Sequence, residues 1–210
     1  MRAAPPAIGN GQCPYPGAIS TGNPVDIAAA EQAVADLLTA IGVPPGSEVS
    51  AGTPRRVAAA LAELLDPPAF DFTVFPNTGG QRDLVIARGV PFTSLCAHHL
   101  LPFAGTACVA YLPGDQIAGL SKLARVVRSA AAGLRLQEEM GQQIASSLEE
   151  SLDCAGAGVI LAAEHRCVTA RGARAHGSDT VTLALRGALR EDPALRAEFL
   201  MLATSGGGLR

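Results

Sequence analysis

Residues 83–112, DLVIARGVPFTSLCAHHLLPFAGTACVAYL, decide the fold, because two strand-like runs stand on either side of a segment rich in cysteine and histidine. The runs cover residues 83–90 and 106–112, where branched and apolar side chains favour β-strands. Between them lie residues 94–102, which hold a cysteine and two adjacent histidines. The stretch predicts a hairpin whose strands are separated by residues able to carry chemistry.

A pair of helices and a second pair of strands follow this hairpin. The first helix opens at Ser121, the second repeats apolar residues every four positions, and glycines at 156–158 break the chain. Strands are predicted over residues 159–163 and 181–185. The apolar faces of the two helices are Leu123, Val126, Val127 and Leu134, and Leu136, Met140, Ile144 and Leu148. The order hairpin, helix pair, hairpin predicts an α+β fold, an antiparallel sheet with the helix pair on one face.

Flanking segments complete the predicted organisation. Residues 1–24 form a flexible arm rich in Pro, Gly and Ala, and residues 204–210 form a flexible tail. Residues 25–82 form an N-terminal helical segment, and residues 83–203 form the catalytic domain. In the helical segment one helix follows Asp26 and stops at Gly42, and a second starts with Thr53 as N-cap and Pro54 in its first turn. The first helix has an apolar stripe of Ile27, Ala30, Val34, Leu37, Leu38 and Ile41, and a last helix in the domain starts at Asp192 and Pro193.

The composition bounds the class of protein. The 210 residues are 48% hydrophobic and 17% charged, which excludes a disordered chain and suits one domain with an arm. The low charge and the 4% aromatic content indicate apolar surface buried between subunits. The net charge of −3 argues against a broad basic surface for nucleic acid, and no apolar run reaches the roughly 18 residues of a membrane helix. We therefore expect a homo-oligomer without nucleic-acid or membrane partners.

Cysteine usage indicates a reduced, cytoplasmic protein. The five cysteines are odd in number and not spaced as a dense disulfide scaffold, and the first residues lack the apolar stretch of a secretory signal. Cys96 and His99 have a spacing that can close on one metal ion, and Cys167 would reach them through the fold. Three such ligands leave a fourth position on tetrahedral zinc for a water molecule, which becomes a nucleophile near neutral pH. His165 lies two residues before Cys167, so an extended segment would put both on the same side.

A plainer interpretation remains open for the same residues. Cys96 and Cys167 would be buried apolar thiols, and the histidines would be ordinary core or surface groups. The spacing of Cys96 and His99 alone favours this interpretation, and His165 beside Cys167 shifts the balance toward a metal site. The remaining cysteines, which we expect to be structural or incidental, are Cys13, Cys108 and Cys154.

Charged residues at two predicted helix starts are candidates for substrate binding. Lys122 and Arg125 share a face of the first turn after Ser121, where a positive charge opposes the helix dipole unless an anion is bound. A solvated surface explains them equally well, and pattern alone does not decide whether Arg55, Arg56 or Arg171 would join a polyphosphate site. At the next helix start, one carboxylate of the run Gln137-Glu138-Glu139 could accept two N–H bonds from a guanine edge, although such acidic residues usually face solvent.

Taken in order, these motifs resemble the GTP cyclohydrolase I family over residues 27–203. The shared elements are Thr53-Pro54-Arg55-Arg56-Val57, Cys96-Ala97-His98-His99-Leu100-Leu101-Pro102-Phe103, Gly119-Leu120-Ser121-Lys122-Leu123-Ala124-Arg125, Leu136-Gln137-Glu138, Glu164-His165-Arg166-Cys167, Arg171-Gly172, Leu185-Arg186-Gly187 and Arg190-Glu191-Asp192-Pro193. The resemblance implies the tunnelling fold and toroidal homodecamers of two pentamers, with sites at subunit interfaces. It also implies hydrolysis of GTP to 7,8-dihydroneopterin triphosphate and formate, the entry step of tetrahydrofolate and tetrahydrobiopterin biosynthesis.

The resemblance also assigns roles to individual residues. Cys96, His99 and Cys167 are implied to be the zinc ligands, and His98 and His165 to be the acid–base pair. Guanine is implied to be recognised by Glu138 with Gln137. The residues implied to hold the triphosphate are Ser121, Lys122, Arg125, Arg171 and Arg56.

The sequence departs from the family pattern at two single residues and in one four-residue stretch. Ala97 stands where the family has Glu, Glu139 where it has Arg, and residues 130–133 read Ala-Ala-Ala-Gly where it has a basic and aromatic stretch. Two alternatives to GTP hydrolysis therefore stay open. One is a divergent cyclohydrolase that acts on a modified purine nucleotide, makes pterin or deazapurine precursors, or stops at a ring-opened formamide. The other is a zinc- or nucleotide-binding paralogue without turnover.

Overall fold

A computed structural model describes residues 25–66 and 70–205 of the chain. The predicted N-terminal arm lies outside the described residues, as do Cys13 and all but the first two residues of the predicted tail. The helices are α1 (Ile27–Ala40), α2 (Glu48–Leu65), α3 (Leu120–Ala131), α4 (Gln137–Leu152), α5 (Arg166–Thr169), α6 (Ala188–Glu191) and α7 (Pro193–Thr204). The strands are β1 (Val74–Pro76), β2 (Val85–Cys96), β3 (Pro102–Leu112), β4 (Gln116–Ala118), β5 (Leu134–Arg135), β6 (Gly156–His165) and β7 (Thr180–Gly187).

The main sheet has the strand order β5-β2-β3-β6-β7. Strands β2, β3, β6 and β7 pair antiparallel, and the two-residue β5 adds a parallel pairing that sets Cys96 opposite Arg135. Strands β1 and β4 form a separate antiparallel ribbon. The predicted α+β class and the two predicted hairpins are confirmed, although the strands are longer than predicted. In particular, β2 runs on to Cys96 and β3 already begins at Pro102.

Both faces of the sheet are covered by helices. Helices α3 and α4 lie on one face, as predicted, and the opposite face carries α7, whose Phe199 is fully buried. The prediction that residues 156–158 break the chain is wrong, because these glycines open β6. A Cβ on Gly158 would lie 2.9 Å from the Phe199 ring, so this glycine lets α7 pack closely. The helical side chains buried against the α3–α4 face are Leu123, Val126, Val127, Met140, Ile144 and Leu148.

The predicted start of the second helix at Thr53 and Pro54 is wrong. Helix α2 begins at Glu48 with Ser47 as N-cap, whose side chain accepts a hydrogen bond from the Ser50 N–H, and Pro54 lies inside the helix. The sequence holds two valid cap signals in succession, and the earlier one begins the helix because the chain turns immediately before Ser47 at Gly46, which has φ +76°. The proline removes one helical hydrogen bond and does not end the helix.

The prediction that Ser121 caps its helix is also wrong. The N-cap of α3 is Gly119, which has no side chain to accept a hydrogen bond, and Ser121 is the second helical residue. Leu134, predicted on the apolar face of this helix, lies in β5, and Leu136 is the N-cap of α4. At the far end of the chain, Asp192 caps α7 as predicted, accepting from the Ala194 N–H at 2.7 Å.

The N-terminal helices form a hairpin with much of its apolar surface uncovered. Ala30, Val34 and Leu38 are half-buried, whereas Leu37 and Ile41 of the same predicted stripe are exposed, Ile41 at 66%. Helix α1 has no buried residue. Among the described helices, none has the combination of length and apolar character that spanning a membrane requires.

Candidate functional site

The three predicted metal ligands lie together at one end of the sheet. Cys96 is the last residue of β2, His99 lies in the turn that follows, and Cys167 lies in α5 directly after β6. One ligand atom from each residue lies within 4.8 Å of the other two, and the Cys96 Sγ and His99 Nδ1 atoms are 3.7 Å apart. Cys96 is buried, Cys167 is half-buried and His99 is exposed, so the cluster opens toward solvent on the histidine side.

Strand register brings these residues together across a long stretch of sequence. Strand β3 pairs with both β2 and β6, setting Leu95 opposite Pro102 and Phe103 opposite His165. The ends of β2 and β6 therefore flank the start of β3. The turn between β2 and β3 is tight, because the Cys96 N–H donates to the Leu101 carbonyl at 2.9 Å, and Leu100 adopts φ +55°. A left-handed conformation is unusual for leucine and costs backbone strain at this edge of the cluster.

The electrostatics of the cluster favour a bound cation. Burial and the neighbouring Cys96 sulfur raise the pKa of the Cys167 thiol, and Arg171 acts in the opposite direction. Two thiolates at this distance repel each other unless a positive charge lies between them. Because the Arg171 guanidinium lowers the pKa of the Cys167 thiol, this predicted phosphate-binding residue lies in the neighbourhood of Cys167.

Burial gives the other described cysteines a different character. It raises the pKa of both Cys108 and Cys154 to about 11, so each stays a neutral thiol at physiological pH. Within the described residues, neither cysteine belongs to a group of three side chains that could hold a metal ion, and both pack in the core. This agrees with the prediction that they are structural.

His165 lies at the end of β6 in a fixed orientation. Its ring stacks on Phe103 with centroids 4.5 Å apart and planes 3° from parallel, and its Nε2 lies 2.7 Å from Gln137 Oε1. Burial lowers the pKa of His165, and the nearby Glu138 carboxylate acts in the opposite direction. His98, the other predicted acid–base residue, is exposed, and its ring centroid lies 6.2 Å from that of His99.

The start of α4 contributes Gln137 and Glu138 with opposite exposures. Gln137 is 1% exposed, whereas Glu138 and Glu139 are exposed in the first turn, where acidic side chains complement the helix dipole. The Glu138 carboxylate is near enough to raise the pKa of His165 electrostatically, against the larger effect of burial. Glu138 is therefore free to meet a ligand, and Gln137 is engaged inside the chain.

The remaining predicted substrate-binding residues are not joined to the cluster. Ser121 and Arg125 are exposed, Lys122 is half-buried, and within residues 25–66 and 70–205 none of the three side chains has a hydrogen bond or an ion pair. Helix α3 ends where the chain enters β5 beside Cys96, and its first turn lies about 15 Å farther along the helix axis. Arg56 is exposed on α2 and donates to the Thr53 hydroxyl at 3.2 Å.

Two features of the site were missed by sequence reasoning. The stacking of Phe103 on His165 follows from β3–β6 register, and the bond between Gln137 and His165 joins a helix start to a strand end 28 residues away. A local pattern carries no signal for either contact. The only sequence feature that pointed to the stacking is that Phe103 follows closely after the turn that holds His98 and His99.

The fold and the site define a mixed α+β protein with a candidate metal centre of the catalytic kind, since three protein ligands leave a coordination position open. The chain belongs to the GTP cyclohydrolase I family, whose model matches residues 30–204. This confirms the resemblance found in the sequence motifs.

Curated relatives match along almost their whole length. A protein from Dehalococcoides mccartyi named GTP cyclohydrolase 1 is 43% identical over 182 residues, which cover 84% of this chain and 96% of that protein. Proteins of the same name from Leifsonia xyli and Bacillus subtilis are each 45% identical, covering 97% and 92% of their own lengths and 86% and 81% of this chain. Among solved structures, an archaeosine synthase QueF-Like in the apo form has a TM-score of 0.41 at 14% identity, covering 50% of this chain and 93% of that one.

Proposed function

We propose that this protein hydrolyses GTP, opening the purine ring at C8 and releasing formate and 7,8-dihydroneopterin triphosphate. The carrying observation is the Cys96–His99–Cys167 cluster with His165 held two residues from one ligand. Family membership supports the choice of GTP. The proposed reaction is the first step toward tetrahydrofolate and related pterins.

The residues of the cluster fit a zinc ion. Zinc–sulfur bonds of about 2.3 Å and zinc–nitrogen bonds of about 2.0 Å at tetrahedral angles separate ligand atoms by about 3.5–3.8 Å. The 3.7 Å between Cys96 Sγ and His99 Nδ1 agrees with that separation, and a set of two thiolates and one imidazole suits zinc. Cys96, His99 and Cys167 would hold the ion, and zinc supplies Lewis acidity that activates water for attack on the purine.

The two remaining histidines of this region move protons in the proposed reaction. His165, stacked on Phe103, donates a proton to N7 of the purine as C8 is attacked, because an imidazole exchanges protons near neutral pH. His98 is exposed beside His99 and assists the later proton shifts on the ribose. The positions of the two rings beside the cluster support these roles, and neither histidine is one of the three proposed metal ligands.

Charged side chains orient the nucleotide. Glu138 accepts N–H bonds from the guanine edge. Its electrostatic effect on His165 supports a pocket in which the base lies near the proton donor. The cations that bind the triphosphate are Lys122, Arg125, Arg171 and Arg56, with Ser121 beside them. Lys122 and Arg125 lie about 13 Å and about 9 Å along the axis of α3 from the end that leads into β5 beside Cys96. Because neither side chain has a hydrogen bond or an ion pair within residues 25–66 and 70–205, we propose that they serve the metal centre of a neighbouring subunit.

The assembly that this requires is a toroidal homodecamer of two pentamers in the tunnelling fold. Exposed apolar side chains support an oligomer: Val181 and Leu183 on the edge strand β7 are 60% and 45% exposed, and Leu37 on α1 is 56% exposed. Apolar surface of this kind is typical of subunit contacts. We also propose a cytoplasmic location, since zinc-binding thiols persist in a reducing compartment.

The test is turnover of GTP by the purified zinc-loaded protein, followed as released formate and as the absorbance of the pterin product. We expect formate and pterin in equal amounts. The His165→Ala variant should keep its metal and lose about 10²–10⁴-fold in turnover, and His176→Ala, an exposed histidine outside the cluster, is the matched control. A zinc-loaded protein that releases no formate from GTP would overturn the proposal.

A further inference from the structure

Gln137 is a deeply buried polar side chain near the proposed active site, at 1% exposure. It is the first residue of α4, and its amide reaches across the ends of β6 and β7. A long amide that is removed from solvent at a helix start must be hydrogen-bonded to compensate for its desolvation. Its bonds therefore indicate what it does.

The nitrogen end of the amide is fixed by backbone carbonyls. Gln137 Nε2 donates to the Leu161 carbonyl at 3.0 Å and to the Thr180 carbonyl at 2.9 Å, and the Thr182 hydroxyl lies at 3.2 Å. Carbonyl oxygens only accept, so the reversed amide would set oxygen against two oxygens. The orientation of the amide is therefore determined by the strands it bridges.

This orientation dictates the protonation of His165. The amide oxygen, Gln137 Oε1, faces His165 Nε2 at 2.7 Å and can only accept, so Nε2 must carry the hydrogen. The Nδ1 atom then holds the lone pair of the neutral ring, and it has no hydrogen-bond partner in the described part of the chain. Phe103, stacked at 4.5 Å, fixes the plane of the same ring.

We propose that Gln137 is a positioning residue that holds His165 in the Nε2–H tautomer and presents Nδ1 as the atom that exchanges a proton with the substrate. This inference deepens the proposed function and rests on it. It separates Gln137 from Glu138: the exposed carboxylate meets the nucleotide, and the buried amide acts through the histidine. Fixing the tautomer of a catalytic histidine in this way leaves the lone pair of the neutral ring on Nδ1, so that Nδ1 takes up the proton that the ring then donates to N7 of the purine.

The first test reads the tautomer directly and needs no substrate. The zinc-loaded protein is labelled with ¹⁵N-histidine, and the signal of His165 among the chain's 4 histidines is assigned with the His165→Gln variant. At a pH where the ring is neutral, we expect a protonated Nε2 and a bare Nδ1. A protonated Nδ1 would overturn the inference.

The second test compares Gln137→Met with Gln143→Met. Gln143 is a buried glutamine two turns along α4 that accepts from Arg135 at 3.4 Å, so its loss controls for general damage to the helix. We expect Gln137→Met to give a mixture of His165 tautomers and to lower kcat for GTP about 10–100-fold, with KM changed less than about threefold. The Gln143→Met protein should keep the wild-type tautomer and kcat.

The outcomes separate the inference from the function on which it rests. If Gln137→Met raised KM and left kcat unchanged, the Gln137 side chain would bind substrate and the positioning role would be overturned. Equal losses of kcat in Gln137→Met and Gln143→Met would also overturn it. A wild-type protein that releases no formate would refute the proposed function. If that wild-type protein nevertheless held His165 in the Nε2–H tautomer, and Gln137→Met did not, the positioning of His165 by Gln137 would still be supported.

Discussion

The metal cluster and the proposed phosphate group differ in how much of each a single chain assembles. The metal cluster, Cys96, His99 and Cys167, closes within one subunit because β3 aligns the ends of β2 and β6. The phosphate group, Lys122 and Arg125 on α3, lies about 13 Å and about 9 Å along the helix axis from the end that leads into β5. The comparison supports the proposal that metal binding depends on the fold of one subunit, whereas nucleotide binding depends on the assembly.

The largest expected effect is loss of the metal. Cys96→Ala removes a buried thiolate ligand, and two remaining ligands hold zinc poorly, so we expect bound zinc to fall from about one per chain to nearly none. Elemental analysis of the purified variant measures it. Cys154→Ala, which removes a buried thiol outside the cluster, should keep the metal. Full zinc occupancy in Cys96→Ala would show that the three residues are not the site.

The next effect concerns the phosphate group. Lys122→Ala and Arg125→Ala each remove a charge-assisted hydrogen bond worth about 1.5–3 kcal/mol, or about 10- to 100-fold in affinity. We expect KM for GTP to rise by that factor while the zinc content and the KM for guanosine stay unchanged. Arg128→Ala, at the other end of the same helix, is the matched control. Equal losses for GTP and guanosine would contradict a phosphate role.

A smaller, diagnostic effect comes from mixing two impaired proteins, assayed at a GTP concentration well below the raised KM of Arg125→Ala. If Arg125 serves the metal centre of a neighbour, mixed oligomers of His165→Ala and Arg125→Ala contain some sites in which both halves are intact. Random assembly of equal amounts makes these about one quarter of all sites, so about a quarter of wild-type activity should return. Co-expression with two tags and formate release measures it. If the mixed oligomers were no more active than the His165→Ala and Arg125→Ala proteins assayed separately and summed, His165 and Arg125 would serve the same site from one chain.

The difference between local pattern and long-range packing explains how much of the fold and the site could be predicted from the sequence. The strands, the helix pair and the Cys96–His99 spacing are local patterns, and periodicity is sufficient to find them. The start of α2 was missed because Ser47 and Thr53 both look like caps and local pattern does not choose between them. The bond from Gln137 to His165 depends on how α4 docks on β6 and β7, which is long-range packing.

The smallest expected effect concerns Ala97, the first residue after the metal ligand Cys96. Its N–H donates to the Arg135 carbonyl at 3.1 Å, which anchors the backbone, and its side chain is half-buried. Because the backbone is held by β5, we expect Ala97→Glu to add a carboxylate at the rim of the site without displacing the metal ligands. Zinc content should therefore be unchanged.

The effect on catalysis should be a change in substrate preference. A carboxylate at residue 97 narrows the pocket and adds negative charge, which disfavours a bulkier or more electron-rich purine. It also introduces the residue that the family resemblance leads us to expect at this position. One half-exposed charge contributes less than about 1.4 kcal/mol, so kcat/KM for GTP relative to a modified guanine nucleotide should rise by less than about tenfold. The measurement is that ratio in wild type and Ala97→Glu, with Ala104→Glu, an exposed alanine on β3, as control. An unchanged ratio would mean that Ala97 has no part in choosing the substrate, and the effect of the missing carboxylate would then have to be sought at Glu139, the other charge departure at the start of α4.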